Sequence, residues 1–217
     1  MYRAVIFDLD GTLLDTLEDL RDGVNYVLTL KGYPKRSLEE IRRFVGNGIA
    51  KLIERAAPQG TTEAEWAEML QVFRAYYTEH CRIKTGPYEG ITELLEELKK
   101  QGILMAIVSN KNDAAVKELV KYYFSDFIEP EVAIGEREGI QKKPAPDSVY
   151  EAMRLLGVEK EEAVYVGDSD VDRETAKNAA LDCISVTWGF RDEEMLRGLE
   201  PEYLVHEPKE IMEIVKQ

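Results

Sequence analysis

Short apolar segments rich in β-branched residues recur along the chain, and most of them are separated by stretches with helical periodicity. Apolar runs of this kind are typical of strands buried on both faces of a parallel sheet. Between them, Ile91–Gln101 and Asp147–Leu156 carry apolar residues on one helical face, and a glycine follows each of them. Alternating strands and helices predict an α/β fold with a doubly wound, mainly parallel sheet. The predicted strands are Ala4–Leu9, Ile103–Ser109, Glu131–Ile134, Ala163–Gly167, Cys183–Thr187 and Tyr203–Val205.

Residues 16–82 interrupt this alternation, because they contain successive helical patterns and no strand pattern. Ser37–Glu40 and Thr62–Glu65 both fit capping boxes at helix starts. We therefore predict an inserted, all-helical cap domain at 16–82 and a core domain formed by 1–15 and 83–217. An aromatic and apolar stripe in the second half of the insertion is expected to pack in the core of the cap: Trp66, Met69, Leu70, Phe73, Tyr76 and Tyr77.

The composition narrows the classes of partner. The net charge of −14 argues against nucleic acid or an anionic membrane as the main partner. We find no run long enough to span a bilayer, and the N-terminal apolar run is too short and too soon followed by acids to fit a signal peptide. Cys81 and Cys183 imply no disulfide framework. We expect a cytoplasmic protein, monomeric or homodimeric, in which local positive charge or a metal attracts any anionic substrate.

Polar residues gather where the predicted strands end, at the edge where parallel sheets bind ligands. The carboxylates among them form an oxygen-rich, negative cluster that a hard cation such as Mg²⁺ would neutralise, whereas His80 and His206 have no partner pattern for a zinc site. Lys143 is placed to hold an anion beside the metal, and Gly11 allows backbone amides to approach a ligand closely. Together these groups indicate a phosphoryl-transfer site. The sets are Asp8-Leu9-Asp10-Gly11-Thr12, Ser109-Asn110-Lys111, Lys142-Lys143-Pro144 and Gly167-Asp168-Ser169-Asp170-Val171-Asp172.

In this order, the motifs resemble those of the haloacid dehalogenase superfamily across essentially the whole chain. Asp8-x-Asp10-Gly11-Thr12 resembles the first motif, Ser109 the second, Lys143 the third, and Gly167-Asp168-x-x-x-Asp172 the fourth. The resemblance implies a Rossmann-like core, with the helical insertion as a type 1 cap. It also implies hydrolysis of a phosphate ester, because dehalogenases lack an aspartate at the position of Asp10 and P-type ATPases carry threonine there.

The resemblance implies a role for each motif residue. Asp8 would attack phosphorus and form an aspartyl-phosphate, while Asp10 would protonate the leaving alcohol and then take a proton from the hydrolytic water. Mg²⁺ would be held by the carboxylates of Asp8 and Asp168 and by the backbone carbonyl of Asp10. Asp172 would orient a metal-bound water or Lys143 from the outer shell. The phosphoryl group would be bound by Gly11, Thr12, Ser109, Asn110 and Lys143.

Asp170 is expected to be exposed or to cap a helix, but whether Asp170 or Asp172 reaches the metal directly stays open. Substrate choice is expected to lie mainly in the cap, where Gly46-Asn47-Gly48 is typical of a helix–turn–helix joint. In the alternative interpretation this stretch is a flexible loop at the site, in which Arg42, Arg43 or Lys51 meets a substrate carboxylate, and Asn47 is a further candidate contact.

Together with Ser109-Asn110-Lys111 and Val186–Phe190, the stretch Arg42–Leu52 resembles the phosphoglycolate phosphatase branch of the superfamily. That resemblance implies 2-phosphoglycolate as the substrate. A pyrophosphatase, a nucleotidase, a sugar phosphatase and a phosphomutase are alternatives within the superfamily, and a non-catalytic protein that binds a phosphorylated ligand is a remote one.

Overall fold

The structure, a computed structural model, describes all residues from Met1 to Gln217. The chain divides into two compact units, which we call the core unit (Met1–Leu14 and Pro87–Gln217) and the helical unit (Asp15–Gly86). The function of the helical unit as a cap domain, with its expected boundaries, stays a prediction. None of the helices combines the length and the apolar character that a membrane span requires.

The elements are numbered in chain order. The strands are β1 (Ala4–Phe7), β2 (Leu14–Asp15), β3 (Gly86–Pro87), β4 (Leu104–Asn112), β5 (Ala133–Glu136), β6 (Ala163–Gly167), β7 (Asp182–Val186) and β8 (Tyr203–Val205). The helices are α1 (Leu17–Leu30), α2 (Leu38–Phe44), α3 (Ile49–Ala56), α4 (Glu63–His80), α5 (Ile91–Lys100), α6 (Asp113–Tyr123), α7 (Asp147–Leu156), α8 (Asp170–Ala179), α9 (Glu193–Gly198) and α10 (Pro208–Val215).

The core unit contains a six-stranded sheet in the order β5-β4-β1-β6-β7-β8, and every neighbouring pair is parallel. All residues of β1 and β6 are buried, as expected for strands covered on both faces. The chain runs outward from β1 through β4 to β5 and then returns to β6 on the other side. Ligands bind where the strand order reverses in this way, so β1 lies at the centre of the expected site. The predicted doubly wound, mainly parallel sheet is confirmed.

Four strands depart from their predicted bounds: β7 lies one residue earlier than Cys183–Thr187 at both ends, and the other three differ for local reasons. β1 ends at Phe7, two residues early, because the chain turns through Gly11, whose φ is +95°. β4 continues to Asn112, past the predicted end at Ser109, because it goes on pairing with β5 across a register irregularity. β5 begins later than Glu131, because Pro130–Val132 form a short 3₁₀ turn.

The helical unit is built from α1 to α4. Both predicted capping boxes are present, at Ser37 and at Thr62. Of the predicted apolar stripe on α4, Met69, Phe73 and Tyr77 are buried, at the four-residue spacing of one helical face, while the remaining members are only partly buried. These buried positions form the face of α4 that packs in the core of this unit.

Candidate active site

The first motif follows β1 and makes a tight turn. The amide of Asp8 donates to the carbonyl of Val166 in the neighbouring strand at 2.8 Å, and the amide of Gly11 donates to the carbonyl of Leu14 at 2.8 Å. A Cβ atom at Gly11 would lie 2.5 Å from a carboxylate oxygen of Asp168, and φ there is in the left-handed region. Glycine is therefore required both by the backbone conformation and by the close approach of Asp168.

Lys143 joins the first motif to the fourth. Its ammonium lies 2.6 Å from Oδ1 of Asp8 and 2.7 Å from Oδ1 of Asp172, and it also donates to the hydroxyl of Tyr165 at 3.1 Å. All four side chains are buried. Burial alone would lower the pKa of Lys143, but the carboxylates of Asp172 and Asp8 outweigh it and raise the pKa well above its usual value. Lys143 is therefore held as a cation at the centre of the site.

Asp172 lies at the start of α8 and its two oxygens are both engaged. Oδ1 accepts from Lys143 and, at 2.9 Å, from the hydroxyl of Tyr165, while Oδ2 accepts from the hydroxyl of Ser169. A carboxylate with this many donors is fixed in place and orients the lysine beside it. This arrangement agrees with the outer-shell role expected for Asp172, which stays a prediction.

Asp168 follows β6, and the loop after β7 contacts it. Its Oδ2 accepts the amide of Phe190 at 2.6 Å, and its Oδ1 accepts the hydroxyl of Thr12 at 3.4 Å. A Cβ atom at Gly189 would lie 2.3 Å from the Cβ of Asp168, so this loop packs directly on the carboxylate. The indole of Trp188 donates to the carbonyl of Thr12 at 3.0 Å, which ties the loop to the first motif.

The carboxylates of Asp8, Asp168 and Asp172 form a compact acidic cluster, with one oxygen of each within 4.8 Å of the others. Burial and the neighbouring charges of Asp172 and Asp168 raise the pKa of Asp8 well above its usual range, although Lys143 opposes this. Burial and Asp172 raise the pKa of Asp168 to about 7. The cluster sets three buried carboxylates against the single ammonium of Lys143, so a hard divalent cation, which their oxygen donors fit, would stabilise their charged forms.

Asp10 stands apart from this cluster. Its Oδ1 accepts a hydrogen bond from the ammonium of Lys111 at 2.6 Å, and the side chain of Lys111 is only 4% exposed, against 20% for Asp10. Two aspartates that are close in sequence are thus paired with two different lysines, Asp8 with Lys143 and Asp10 with Lys111. The two carboxylates therefore have distinct electrostatic surroundings.

Ser109 and Asn110 lie near the end of β4 and are buried. The hydroxyl of Ser109 accepts the amide of Lys111 at 3.2 Å, and the side-chain amide of Asn110 donates to the carbonyl of Lys143 at 3.1 Å. The side-chain oxygen of Asn110 is buried and has no hydrogen-bond partner in the protein. The second and third predicted motifs therefore lie side by side.

Two other predicted positions lie outside the acidic cluster. Asp170 is the first residue of α8, is only partly exposed and forms an ion pair with Arg191 at 3.0 Å, while Ser169 rather than Asp170 caps the helix. Lys142 is half-exposed and forms an ion pair with Glu136 at 2.8 Å, in contrast to the buried Lys143.

In the helical unit, Gly46-Asn47-Gly48 joins α2 to α3, so the interpretation as a helix–turn–helix joint is confirmed. The side-chain oxygen of Asn47 accepts from Arg55 at 2.7 Å, and Lys51 pairs with Glu54 at 2.6 Å. Arg42 lies in the last turn of α2. A contact of Arg42, Asn47 or Lys51 with substrate stays a prediction.

Three contributors to the site received no role from the sequence. Lys111 was visible only as part of Ser109-Asn110-Lys111, and Tyr165 only as the single polar side chain in the otherwise aliphatic strand Ala163–Gly167. The amide of Phe190 carries no side-chain signature at all. A lone polar residue inside a buried strand is a usable signal, because buried polar groups need partners.

Comparison with known proteins identifies the family. A family model described as haloacid dehalogenase-like hydrolase matches residues 5–186. A phosphoglycolate phosphatase of Aquifex aeolicus is 30% identical over 213 residues, which cover 98% of this chain and 96% of the relative. One of Mesorhizobium japonicum is 35% identical over 204 residues, which cover 93% of this chain and 89% of the relative.

Solved structures agree with this assignment. A crystal structure from Lactobacillus delbrueckii subsp. bulgaricus, assigned as a phosphoglycolate phosphatase, has a TM-score of 0.92 and 36% identity, and covers 99% of this chain and 98% of its own. CbbY from Rhodobacter sphaeroides, solved in complex with phosphate, has a TM-score of 0.73 and 27% identity over 96% of this chain and 95% of its own. As the order of its motifs predicted, this chain belongs to the haloacid dehalogenase-like hydrolase family.

Proposed function

We propose that this protein is a Mg²⁺-dependent phosphatase that hydrolyses a small phosphate monoester through an aspartyl-phosphate, with 2-phosphoglycolate as its substrate. The observation that carries the proposal is the separation of the two catalytic carboxylates. Asp8 is buried against Lys143 and the acidic cluster, while the more exposed Asp10 is held by Lys111. Two carboxylates with different surroundings are suited to two different tasks, nucleophile and proton carrier.

In the first step, an oxygen of Asp8 attacks phosphorus, and the bond from phosphorus to the leaving oxygen breaks. Asp10 gives its proton to that oxygen, so the product leaves as an alcohol. In the second step, water attacks the phosphorus of the aspartyl-phosphate, the bond from phosphorus to the oxygen of Asp8 breaks, and Asp10 takes a proton from the attacking water. The products are inorganic phosphate and free Asp8, with Asp10 protonated again. Lys143 and the hydroxyl of Ser109 would bind the phosphoryl oxygens throughout, with the backbone near Gly11, Thr12 and Asn110.

Mg²⁺ fits the oxygen donors at this edge of the sheet. The carboxylates of Asp8 and Asp168, with the backbone carbonyl of Asp10, are the ligands we propose. When bound, the ion would offset the negative charge of the phosphoryl group and of the acidic cluster. Asp172 would remain outside the ligand set, since Lys143, Tyr165 and Ser169 already occupy its oxygens.

The choice of 2-phosphoglycolate is supported by the names of relatives that cover nearly the whole chain. This substrate carries a carboxylate on its leaving group, which a cationic side chain would recognise. Arg42 and Lys51, on either side of the Gly46–Gly48 joint, are the cations we propose in the helical unit, with Asn47 as a polar contact. The substrates of other enzymes in the family are compared directly with 2-phosphoglycolate in the screen described next.

The test is a phosphate-release screen with Mg²⁺ or with EDTA. The panel contains 2-phosphoglycolate, pyrophosphate, nucleoside monophosphates and sugar phosphates. We expect turnover that is fastest with 2-phosphoglycolate, requires Mg²⁺, and is lost in Asp8→Asn but kept in the control Asp126→Asn, an exposed aspartate outside the site. Activity that survives Asp8→Asn would refute the covalent mechanism. Faster turnover of another phosphoester would replace the substrate but keep the reaction.

Replacing Arg42 or Lys51 by alanine tests the carboxylate contact separately. We expect KM to rise for 2-phosphoglycolate and to stay the same for a neutral alkyl phosphate. An equal change for both substrates would argue against recognition of the substrate carboxylate by these residues.

A further inference from the structure

Lys111 is a buried cation that the proposed mechanism does not use. Its side chain is 4% exposed and its ammonium lies 2.6 Å from Oδ1 of Asp10. Taking an ammonium group out of water is costly, and an ion pair of this kind commonly contributes no more stability than apolar residues of the same size. Stability alone therefore does not account for a lysine at this position, although a role in placing Asp10 does.

The backbone around Lys111 is shaped to bring this side chain to Asp10. β4 is the neighbour of β1 and continues past the end of β1, so residues after Ile107 lie beside the loop that follows Phe7. A register irregularity falls between Val108 and Asn112, and irregularities of this kind redirect side chains next to active sites. The hydroxyl of Ser109 also accepts the amide of Lys111 and so fixes the backbone there.

The pairing leaves one oxygen of Asp10 for chemistry. Lys111 binds Oδ1, so Oδ2 is the oxygen that remains for proton transfer to the leaving group. A proton carrier held in one orientation reacts faster than one that samples several, because part of the entropy loss has already occurred before the substrate binds. Asp10 is also the more exposed member of the pair with Lys111, so it is the side chain that a substrate can reach.

We propose that Lys111 is a positioning residue that holds the carboxyl group of Asp10 in the orientation required for proton transfer to the leaving oxygen. This inference rests on the proposed phosphatase activity, since it assigns a role within that reaction. Lys111 would thus matter most for substrates whose leaving group cannot depart without a proton. Alkyl phosphates such as 2-phosphoglycolate are of this kind, whereas p-nitrophenyl phosphate releases a stable anion.

The test compares kcat/KM for these two substrates, because this constant covers only the steps up to departure of the leaving group. In Lys111→Met we expect a loss of about tenfold to a hundredfold with 2-phosphoglycolate, and less than about threefold with p-nitrophenyl phosphate. Lys111→Arg keeps the cation and is expected to recover most of the loss. The matched control is Lys142→Met, which removes a half-exposed lysine and should leave both constants unchanged.

A double-mutant cycle adds a readout that a purely structural role would not produce. If Lys111 acts through Asp10, Lys111→Met should lower kcat/KM for 2-phosphoglycolate little further in a protein that already carries Asp10→Asn. Activity with p-nitrophenyl phosphate reports in the same samples that the site is folded. Should Lys111→Met not fold, Lys111→Gln, which also removes the cation, takes its place in the same comparison. A selective loss on 2-phosphoglycolate would then support the proposal, and equal losses on both substrates would overturn it.

The outcomes separate this inference from the proposed function. Three results would overturn the positioning role: equal losses on both substrates, additive effects with Asp10→Asn, or a Lys111→Met protein that behaves like Lys142→Met. Hydrolysis by the wild-type protein would still uphold the phosphatase in each case. A wild-type protein that hydrolyses neither substrate with Mg²⁺ would overturn the proposed function, and this inference with it.

Discussion

The ammonium of Lys143 and the carboxylate of Asp172 lie 2.7 Å apart, with the two side chains only 4% and 2% exposed. Asp172 thereby keeps Lys143 against Asp8, at 2.6 Å on the other side of the same ammonium. The breaking of a buried pair from one side costs about 3–5 kcal/mol, because the remaining charge stays buried without its partner. Lys143, which we expect to bind the phosphoryl group, is therefore held in place by Asp172, which we do not expect to contact that group.

Asp172→Asn should impair both stability and catalysis. The substitution keeps the shape of the side chain but removes the charge that faces Lys143, so we expect a lower melting temperature and a kcat reduced by roughly tenfold or more. Thermal unfolding and steady-state kinetics measure the two effects. Asp170→Asn, two residues earlier and paired only with Arg191 among the acidic and basic groups, is the control and should behave nearly like wild type. If Asp172→Asn and Asp170→Asn have the same melting temperature and the same kcat, Asp172 does not orient Lys143.

Tyr165→Phe should have a smaller effect of the same kind. The substitution keeps the buried ring and removes only the hydroxyl that donates to Asp172 and accepts from Lys143. A hydrogen bond to a charged group contributes about 1.5–3 kcal/mol, so we expect measurable destabilisation by chemical denaturation and a modest fall in kcat. Because Asp172 keeps its bonds to Lys143 and Ser169, activity should not be abolished, and complete loss would contradict this account.

Gly189→Ala should damage the site by steric overlap. The new methyl group would lie 2.3 Å from the Cβ of Asp168 and 2.4 Å from the carbonyl oxygen of Gly11, so the loop after β7 or Asp168 must move. We expect a loss of about 1–3 kcal/mol in unfolding free energy together with a large fall in kcat.

The control for Gly189→Ala is Gly198→Ala, at the end of α9, where a Cβ meets nothing within 4 Å. Alanine is the better helix former, so this control should be neutral or stabilising by up to about 1 kcal/mol. Equal behaviour of the two variants in urea denaturation and in activity would reject the close packing at Gly189.

The metal-free protein should lose stability as pH rises from about 4 to neutrality. Burial and Asp172 raise the pKa of Asp168 to about 7, from its ordinary value of 3.8. The folded state therefore binds this proton more tightly than the unfolded state does, and the stability it contributes at low pH is lost as pH rises through about 4 to 7. Mg²⁺ should restore stability at high pH, because a cation then takes the place of the proton.

This pH dependence is measured as the difference in melting temperature between wild type and Asp168→Asn, which cancels the titration of the other acids. In EDTA we expect the variant to be the more stable protein at pH 8 and this advantage to shrink towards pH 5. Added Mg²⁺ should raise the melting temperature of wild type more than that of the variant. A difference independent of both pH and Mg²⁺ would contradict the assignment of Asp168 to a cation site.

Much of the core unit could be predicted from local sequence. The strands Ala163–Gly167 and Tyr203–Val205 and the helix Asp147–Leu156 have their predicted bounds, since buried runs and a terminal glycine are local signals. The bounds of β1, β4 and β5 were less accurate, because turns, sheet pairing and a short 3₁₀ segment decide where these strands begin or end.

The sequence by itself determined the family, the parallel sheet and the carboxylates and lysine expected at its edge, because these depend on residue type, order and spacing along the chain. Only the tertiary structure decided which lysine meets which aspartate. Lys143 lies with Asp8 and Asp172, and Lys111 lies with Asp10, although these partners are far apart in sequence. Such pairings depend on which strands are neighbours and on where each side chain is buried, and a pattern along one chain does not contain that information.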